Sequence, residues 1–436
     1  MDSLANWLIA LASLGSLIWI VRNIAVVPLW RRIFRLTPQW QGPPLTDAPR
    51  VSVVVAAKDE EATIADCVRS IFAQDYGDIE MIIVNDRSAD RTGAIADTLA
   101  ARERRLKVIH IDALPAGWGG KNHAMQKGIA ASSGQWILMT DADCRLRCRQ
   151  ALTLAMAHAR QDGSDLLTLM PDLEMLTFWE RLIQPICAAL LMFHFPPHRA
   201  NNPRSDVVAA HGAFMLIRRS AYDAIGTHEA FKASLIDDMD MARRIKGLGL
   251  RLTVTPSQGL VGVRMYSTLE QILRGWNRIF FGVFSGVGHL GVALAGLVGV
   301  GLTCYVLAAA GLGVCAIRPD AGQAWRTLAM IAAAGSLAEA VMVCRFYRLG
   351  GWPWYYGLLY PLSCIIVAGM LVRTMLMHRP GARLVWRDTA YAPAAAPHAG
   401  KQRPSPRGGT WRHRDGRRAA PVDRAVQRTS APLKKV

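Results

Sequence analysis

Four long apolar runs decide what this chain can fold into. Leu4 to Val21 is the first, and Ile279 to Ile317, Ala324 to Cys344 and Trp354 to Met377 follow towards the other end. About 20 such residues cross a bilayer as a helix, since hydrocarbon offers backbone polar groups no partners outside the segment. The 436-residue chain therefore holds one large water-soluble domain between membrane segments. Residues 1–30 read as a retained anchor. They lack the basic lead and small-residue cleavage site of a signal peptide, and Arg22, Arg31, Arg32 and Arg35 place the following side in the cytoplasm. Counted as single spans, the three later runs, with the transmembrane helices assigned to 286–378, put the chain's end outside, against the same rule. The 39-residue run 279–317 leaves room for an interfacial or re-entrant piece, or for two short spans around its glycines.

The formal charge of +18 is concentrated at that end, where residues 378–436 carry 14 Lys+Arg against three Asp. With Pro, Gly and Ala in place of large apolar residues, 379–436 reads as a disordered basic tail. Its expected counter-charge is anionic lipid, at about 1 kcal/mol per basic residue near the surface, in preference to nucleic acid. Eight scattered cysteines, with Cys144 and Cys148 lacking a second pair to complete a zinc pattern, read as reduced packing residues. Nothing here sets an oligomeric state.

After a Pro-rich linker at 31–49, Val51 to Ala57 is a continuous apolar run suited to a central parallel strand. Ile64, Val68, Ile71 and Phe72 then share one helical face. Ile79 to Val84 and Leu106 to Ile111 continue a βαβαβ pattern, the sign of a nucleotide-binding half-sheet. Asp86 follows the second strand, and LPAGWGGKNHAM (114–125) follows the third, a Gly-rich turn entering a helix with Lys121 as its charge. In GQWILMTDADC (134–144) an apolar strand ends in Asp141 and Asp143. Extended backbone turns i and i+2 to one side, so the two carboxylates face one point and favour a hard cation, Mg²⁺ or Mn²⁺, that also bridges phosphates.

These segments resemble the family 2 glycosyltransferases. The matching stretches are VSVVVAAKDE (51–60), VNDRSADRT (84–92), GKNHAMQKG (120–128), TDADC (140–144) and IDDMDMARRIKGLG (236–249). The resemblance covers residues 50–265 and is nearest to membrane-bound enzymes of lipid glycosylation, the hopanoid-associated and carotenoid-type transferases, with ceramide glucosyltransferases more distant. It implies an α/β, Rossmann-like GT-A (nucleotide-diphospho-sugar transferase) domain with transmembrane helices at both ends. By the same resemblance Asp86 contacts the nucleoside, Lys121 lies near the diphosphate, and Asp141 and Asp143 hold the metal. The segment 209–226, with Gly212, lines the acceptor pocket, and Asp238 is the general base, with Asp237 and Asp240 free to serve the helix. Asn85 departs from the family's Asp pair, so the nucleoside role passes to Asp86 alone. His211 and His228 read as structural or surface residues.

Residues 266–285 form an interfacial segment. Gln271, Arg274, Trp276 and Arg278 are similar to the Q-x-x-R-W stretch of polysaccharide synthases, but Trp276 is displaced by one residue, which weakens a processive reading. The expectation is a multi-pass protein of a bacterial-type inner membrane with a cytoplasmic catalytic domain. It would move a sugar, with inversion, from a nucleotide donor, UDP-linked by preference, to a lipid acceptor. The rivals are a processive polysaccharide synthase and an inactive membrane scaffold with a lipid- or nucleic-acid-binding tail.

Overall fold

The structure is a computed structural model that describes residues 2–284, 286–318, 320, 322–379, 384–386 and 389–391. Almost all of the basic tail lies outside the described residues. A 31-residue helix, α1 (Asp2–Arg32), comes first. Then β1 (Val51–Ala57), α2 (Ile64–Phe72), β2 (Ile79–Asp86), α3 (Thr92–Ala100), β3 (Leu106–Ile111), α4 (Gly120–Ala130) and β4 (Trp136–Asp141) form a parallel half-sheet in the order β3-β2-β1-β4. The chain continues through β5 (Cys144–Leu146), α5 (Ala151–Gln161), β6 (Leu166–Met170), β7 (Asp172–Leu173), α6 (Phe178–His194), α7 (Pro197–Ala200), β8 (Met215–Arg218), α8 (Arg219–Ala224), α9 (Asp237–Gly247), β9 (Leu252–Pro256) and β10 (Val261–Val263). Antiparallel β8 joins β4 to β6, and β9 closes the seven-stranded sheet; β5-β10-β7 make a small second sheet. This is the expected α/β, Rossmann-like GT-A architecture.

Helices on both faces explain why β1 and β2 read as unbroken apolar runs. Val51, Val53 and Val55 are buried with Ile64, Val68 and Ile71 of α2, while Val54, Ile82 and Val84 are buried with Ala124, Met125 and Ile129 of α4. Each such aliphatic side chain contributes about 1.5–3 kcal/mol on burial. The polar group admitted to this core is fully engaged. Burial opposes the charge of Glu80, but bonds from the Ser52 hydroxyl (2.7 Å) and from the Ser133 amide (2.6 Å) and hydroxyl (2.8 Å) hold its pKa down at about 2. The stretch between α1 and β1 is docked on the domain. Leu36 is fully buried, donates to the Pro256 carbonyl (2.9 Å) and accepts from the Gln258 amide (3.0 Å).

Beyond β10 come α10 (Leu269–Val283), α11 (Val287–Gly301), α12 (Thr303–Ile317), α13 (Gln323–Leu349) and α14 (Tyr360–Met377). Ser3–Ala25, Gln323–Leu349 and Trp354–Met377 are each long and apolar enough to cross a bilayer. The run 279–317 is not one helix. Its first residues belong to α10, Gly286 turns the chain at φ 102°, and α11 and α12 form a pair bent by 45°. At 15 residues each, these two helices are only about 22 Å long, short of the roughly 30 Å of hydrocarbon.

Candidate functional site

Parallel strands bind ligands beyond their carboxyl ends, and here the ends of β1, β2 and β4 open into one cleft. Its floor carries Lys58, Glu60, Asp86 and Asp141, with Asp143 in the turn beyond β4. Lys121 and Asn122 enter from the start of α4, His211 from the loop before β8, Asp237 from the start of α9, Tyr266 from the loop after β10 and Arg278 from α10. Two non-glycine residues at the rim, Asp59 (φ 55°) and Arg87 (φ 54°), are held in the left-handed region. The Asp59 carboxylate, which accepts from the Ala89 amide (2.7 Å), laces the two loops together.

Asp141, Asp143 and Cys144 bring one oxygen or sulfur atom each within 4.8 Å of one another. The carboxylates converge for a different reason from strand alternation. β4 stops at Asp141, Ala142 and Asp143 form a turn, and the reversal into β5 swings Asp143 back. Removal from water and the neighbouring Asp141 and Glu60 charges push the Asp143 pKa up. Asp141 goes the other way. Desolvation opposes its charge, but the Lys121 ammonium lies 2.8 Å from its Oδ1 and keeps it ionised. Lys121 also stands 3.7 Å from Asp237 Oδ1, so it sits inside the carboxylate cluster. Gly212 lies close against this cluster, where a Cβ would come 3.2 Å from Lys121 Nζ and 3.3 Å from Asp141 Oδ2.

Asp238 lies beside this cluster, close enough to feel the charges of Lys121 and Asp141. Its Oδ2 accepts from the Gly212 amide (3.1 Å) and its Oδ1 from the Met239 amide (2.7 Å). Desolvation and the adjacent Asp237 charge push its pKa up to about 7. It is not the capping residue of α9, which begins at Asp237 with Ile236 as its cap. Asp240 serves the local structure, accepting from the Ser234 hydroxyl (2.5 Å). Asn122 ties the start of α4 to the segment leading into α9 by donating to the carbonyls of Phe231, Lys232 and Ser234 (3.2, 3.1 and 2.9 Å).

Asp86 is buried, and the Arg87 guanidinium grips both of its oxygens (2.8 and 3.2 Å). Of the α10 residues, only Arg278 reaches the cleft, close enough for its charge to favour ionised Asp141. Arg274 is 69% exposed and pairs with Glu270 one turn back (2.6 Å). Trp276 is buried on the opposite side among Ile183, Phe280 and Tyr347. The structure thus separates Arg274 and Trp276 from the cleft and leaves Arg278 in it. His228 is a packing residue bonded to the Tyr222 hydroxyl (2.8 Å). His211 lines the cleft as a neutral ring, its pKa lowered to about 4 by desolvation, with Nδ1 accepting from the Ala213 amide (3.3 Å). Sequence reasoning undervalued His211 and assigned nothing to Lys58, Glu60 or Tyr266. The strand-end rule that singled out Asp86 and Asp141 applies equally to Lys58 and Glu60.

Residues 52–226 match the family described as Glycosyl transferase family 2. Over 224 residues the chain is 31% identical to the beta-monoglucosyldiacylglycerol synthase of Synechocystis sp., covering 49% of this chain and 45% of that protein. It is 24% identical to the 4,4'-diaponeurosporenoate glycosyltransferase of Staphylococcus haemolyticus, covering 52% and 60%. The chain spans 26% to 60% of the length of these and other curated relatives. Among solved structures it is similar to the mannosyltransferase PcManGT from Pyrobaculum calidifontis in complex with GDP-Man and Mn²⁺, at 18% identity and a TM-score of 0.48, over 77% of this chain and 97% of that one.

Proposed function

Since residues 52–226 form a family 2 glycosyl transferase domain, we propose that the protein transfers a hexose, with inversion, from a nucleoside-diphosphate donor, UDP-linked by preference, to a lipid hydroxyl at the cytoplasmic face of a bacterial-type inner membrane. The observation that carries this reading is Asp238, a carboxylate outside the Asp141/Asp143 pair, held by the Gly212 amide beside the Lys121–Asp141 cluster and pushed up to about 7. A lipid acceptor is supported by the apolar helices that flank the domain and by relatives whose names concern a glycosylated diacylglycerol and a carotenoid acid. The processive alternative loses its support with Arg274 and Trp276 turned away from the cleft.

The roles follow from charge. The cleft is lined by three cations, Lys58, Lys121 and Arg278, against five carboxylates, so a diphosphate would meet net repulsion unless a divalent cation came with it. Asp141 and Asp143 suit Mn²⁺ or Mg²⁺ in donor set and spacing. Such an ion would supply charge neutralisation for the departing nucleoside diphosphate. Lys121 and Arg278 add fixed positive charge on the same side, and the buried Asp86, already oriented by Arg87, accepts hydrogen bonds from the nucleoside. Asp238 takes the proton of the acceptor hydroxyl as that oxygen attacks the anomeric carbon.

The test is transfer by the full-length protein in lipid nanodiscs from a UDP-sugar to a membrane lipid extract, followed against pH. A base works only when deprotonated, so the rate should rise with pH through one ionisation no higher than about 7 and then level. A bound cation favours the carboxylate and moves this limb lower. A rate that falls as pH rises from 5 to 7 contradicts the assignment.

A further inference from the structure

α10 lies between the cleft and the membrane helices and shows each a different set of residues. Positions 275, 278 and 282, spaced i, i+3 and i+7, share one helical face. Gly275 receives the ring of Tyr266, and a Cβ there would overlap the Tyr266 Cζ. Gly282 receives Ile236, and a Cβ there would overlap the Ile236 Cγ1. Arg278 stands between these two notches and lines the cleft, as Tyr266 does. Ile236 is the residue on which α9 begins, directly before Asp237 and Asp238. The other sides of α10 belong to the membrane region. Ile272, Trp276 and Phe280 are buried with Leu290 of α11 and Tyr347 of α13, the Asn277 side-chain oxygen accepts from the Thr374 hydroxyl of α14 (3.1 Å), and Phe281 packs on His378 (4.5 Å).

We infer that the Gly275–Arg278–Gly282 face of α10 is a two-notch socket that seats Tyr266 and Ile236 and so positions Asp238 and Arg278 for transfer from the membrane side of the cleft. Gly282 and Ile236 are positioning residues: neither touches the cleft chemistry, and both act through Asp238. The socket rests on the glycosyl-transfer reading only for which reaction it serves. Its physical basis is tight packing. A methyl group added at Gly282 leaves Ile236 no room, and the start of α9 must shift, carrying Asp238 away from the Gly212 amide. A displacement of about 1 Å in a reacting group costs on the order of 10²-fold in rate.

The experiment uses the full-length protein in nanodiscs with two readouts, transfer from a UDP-sugar to lipid extract and hydrogen exchange of the 208–214 segment, whose Gly212 amide is bonded to Asp238. Gly282→Ala should lower transfer by about 10²-fold and speed exchange in that segment. Ile236→Ala alone should lower transfer by about 10-fold. Combining the two should cost no more than Ile236→Ala alone, because the clash partner is gone; residues that share a contact are non-additive. Gly291→Ala, in open space on α11, should change neither readout. Wild-type behaviour of Gly282→Ala overturns the socket, and so do additive losses in the double variant. If Gly282→Ala does not fold, a double variant that folds and matches Ile236→Ala upholds it, and one that also fails to fold overturns it. A wild-type protein that transfers no sugar refutes the functional reading instead, and the exchange data then decide the socket on their own.

Discussion

Asp238→Asn is expected to lower sugar transfer by roughly 10²- to 10⁴-fold, the usual worth of general acid–base catalysis, while leaving Mn²⁺ and UDP binding near their wild-type values. Asparagine keeps the size of the side chain, but its single oxygen can accept from only one of the Gly212 and Met239 amides that the two carboxylate oxygens serve. Its larger loss is of basicity. The carboxylate suits the task because its pKa, raised to about 7 by desolvation and Asp237, matches a base that must accept a proton near neutral pH. Binding measured by calorimetry separates loss of chemistry from loss of fold. A variant that transfers at near-normal rate removes Asp238 from its role and passes the base to Asp237, which lies 3.7 Å from Lys121.

Removal of the metal pair should be as severe. Asp143→Ala, or chelation of divalent ions, is expected to reduce transfer by at least about 10³-fold, since stabilisation of the charge developing on a leaving group is commonly the largest catalytic term. Taking away Asp143 also relieves its repulsion with Asp141 and Glu60. The variant should therefore stay folded and gain a little thermal stability while losing affinity for Mn²⁺ in a spin-resonance titration. Full activity in EDTA would sink the metal assignment without touching that of Asp238.

The half-sheet was legible because its strands, buried on both faces, have to be continuous apolar runs, and the bounds read for β1 and β3 coincide with those observed. Asp141, Asp143 and Asp86 were legible for a related reason: strand ends converge in this topology, whatever the local turns do. Residues delivered by long-range packing were harder to read. His211 sits beside Asp141 because β8 pairs antiparallel with β4, a connection that no local pattern announces. On α10 the motif-like spacing drew attention to Arg274, Trp276 and Arg278 alike, but the face that meets the cleft is set by where Tyr266 and Ile236 find glycines, and of the three that face carries only Arg278. The length and glycines of the run 279–317 left room for an interfacial piece or two short spans, but apolar content alone is blind to where the turn at Gly286 and the bend between α11 and α12 divide it.

If Asp238 deprotonates a lipid hydroxyl for direct displacement at the sugar, the anomeric configuration of the product records it. The full-length protein in nanodiscs would be supplied with Mn²⁺, an α-linked UDP-sugar labelled with ¹³C at the anomeric carbon, and membrane lipid extract, and the glycolipid read by NMR. Single displacement by an Asp238-activated hydroxyl predicts a β-linked product on lipid. An α-linked product, or label recovered only in polymer or free sugar, would contradict it.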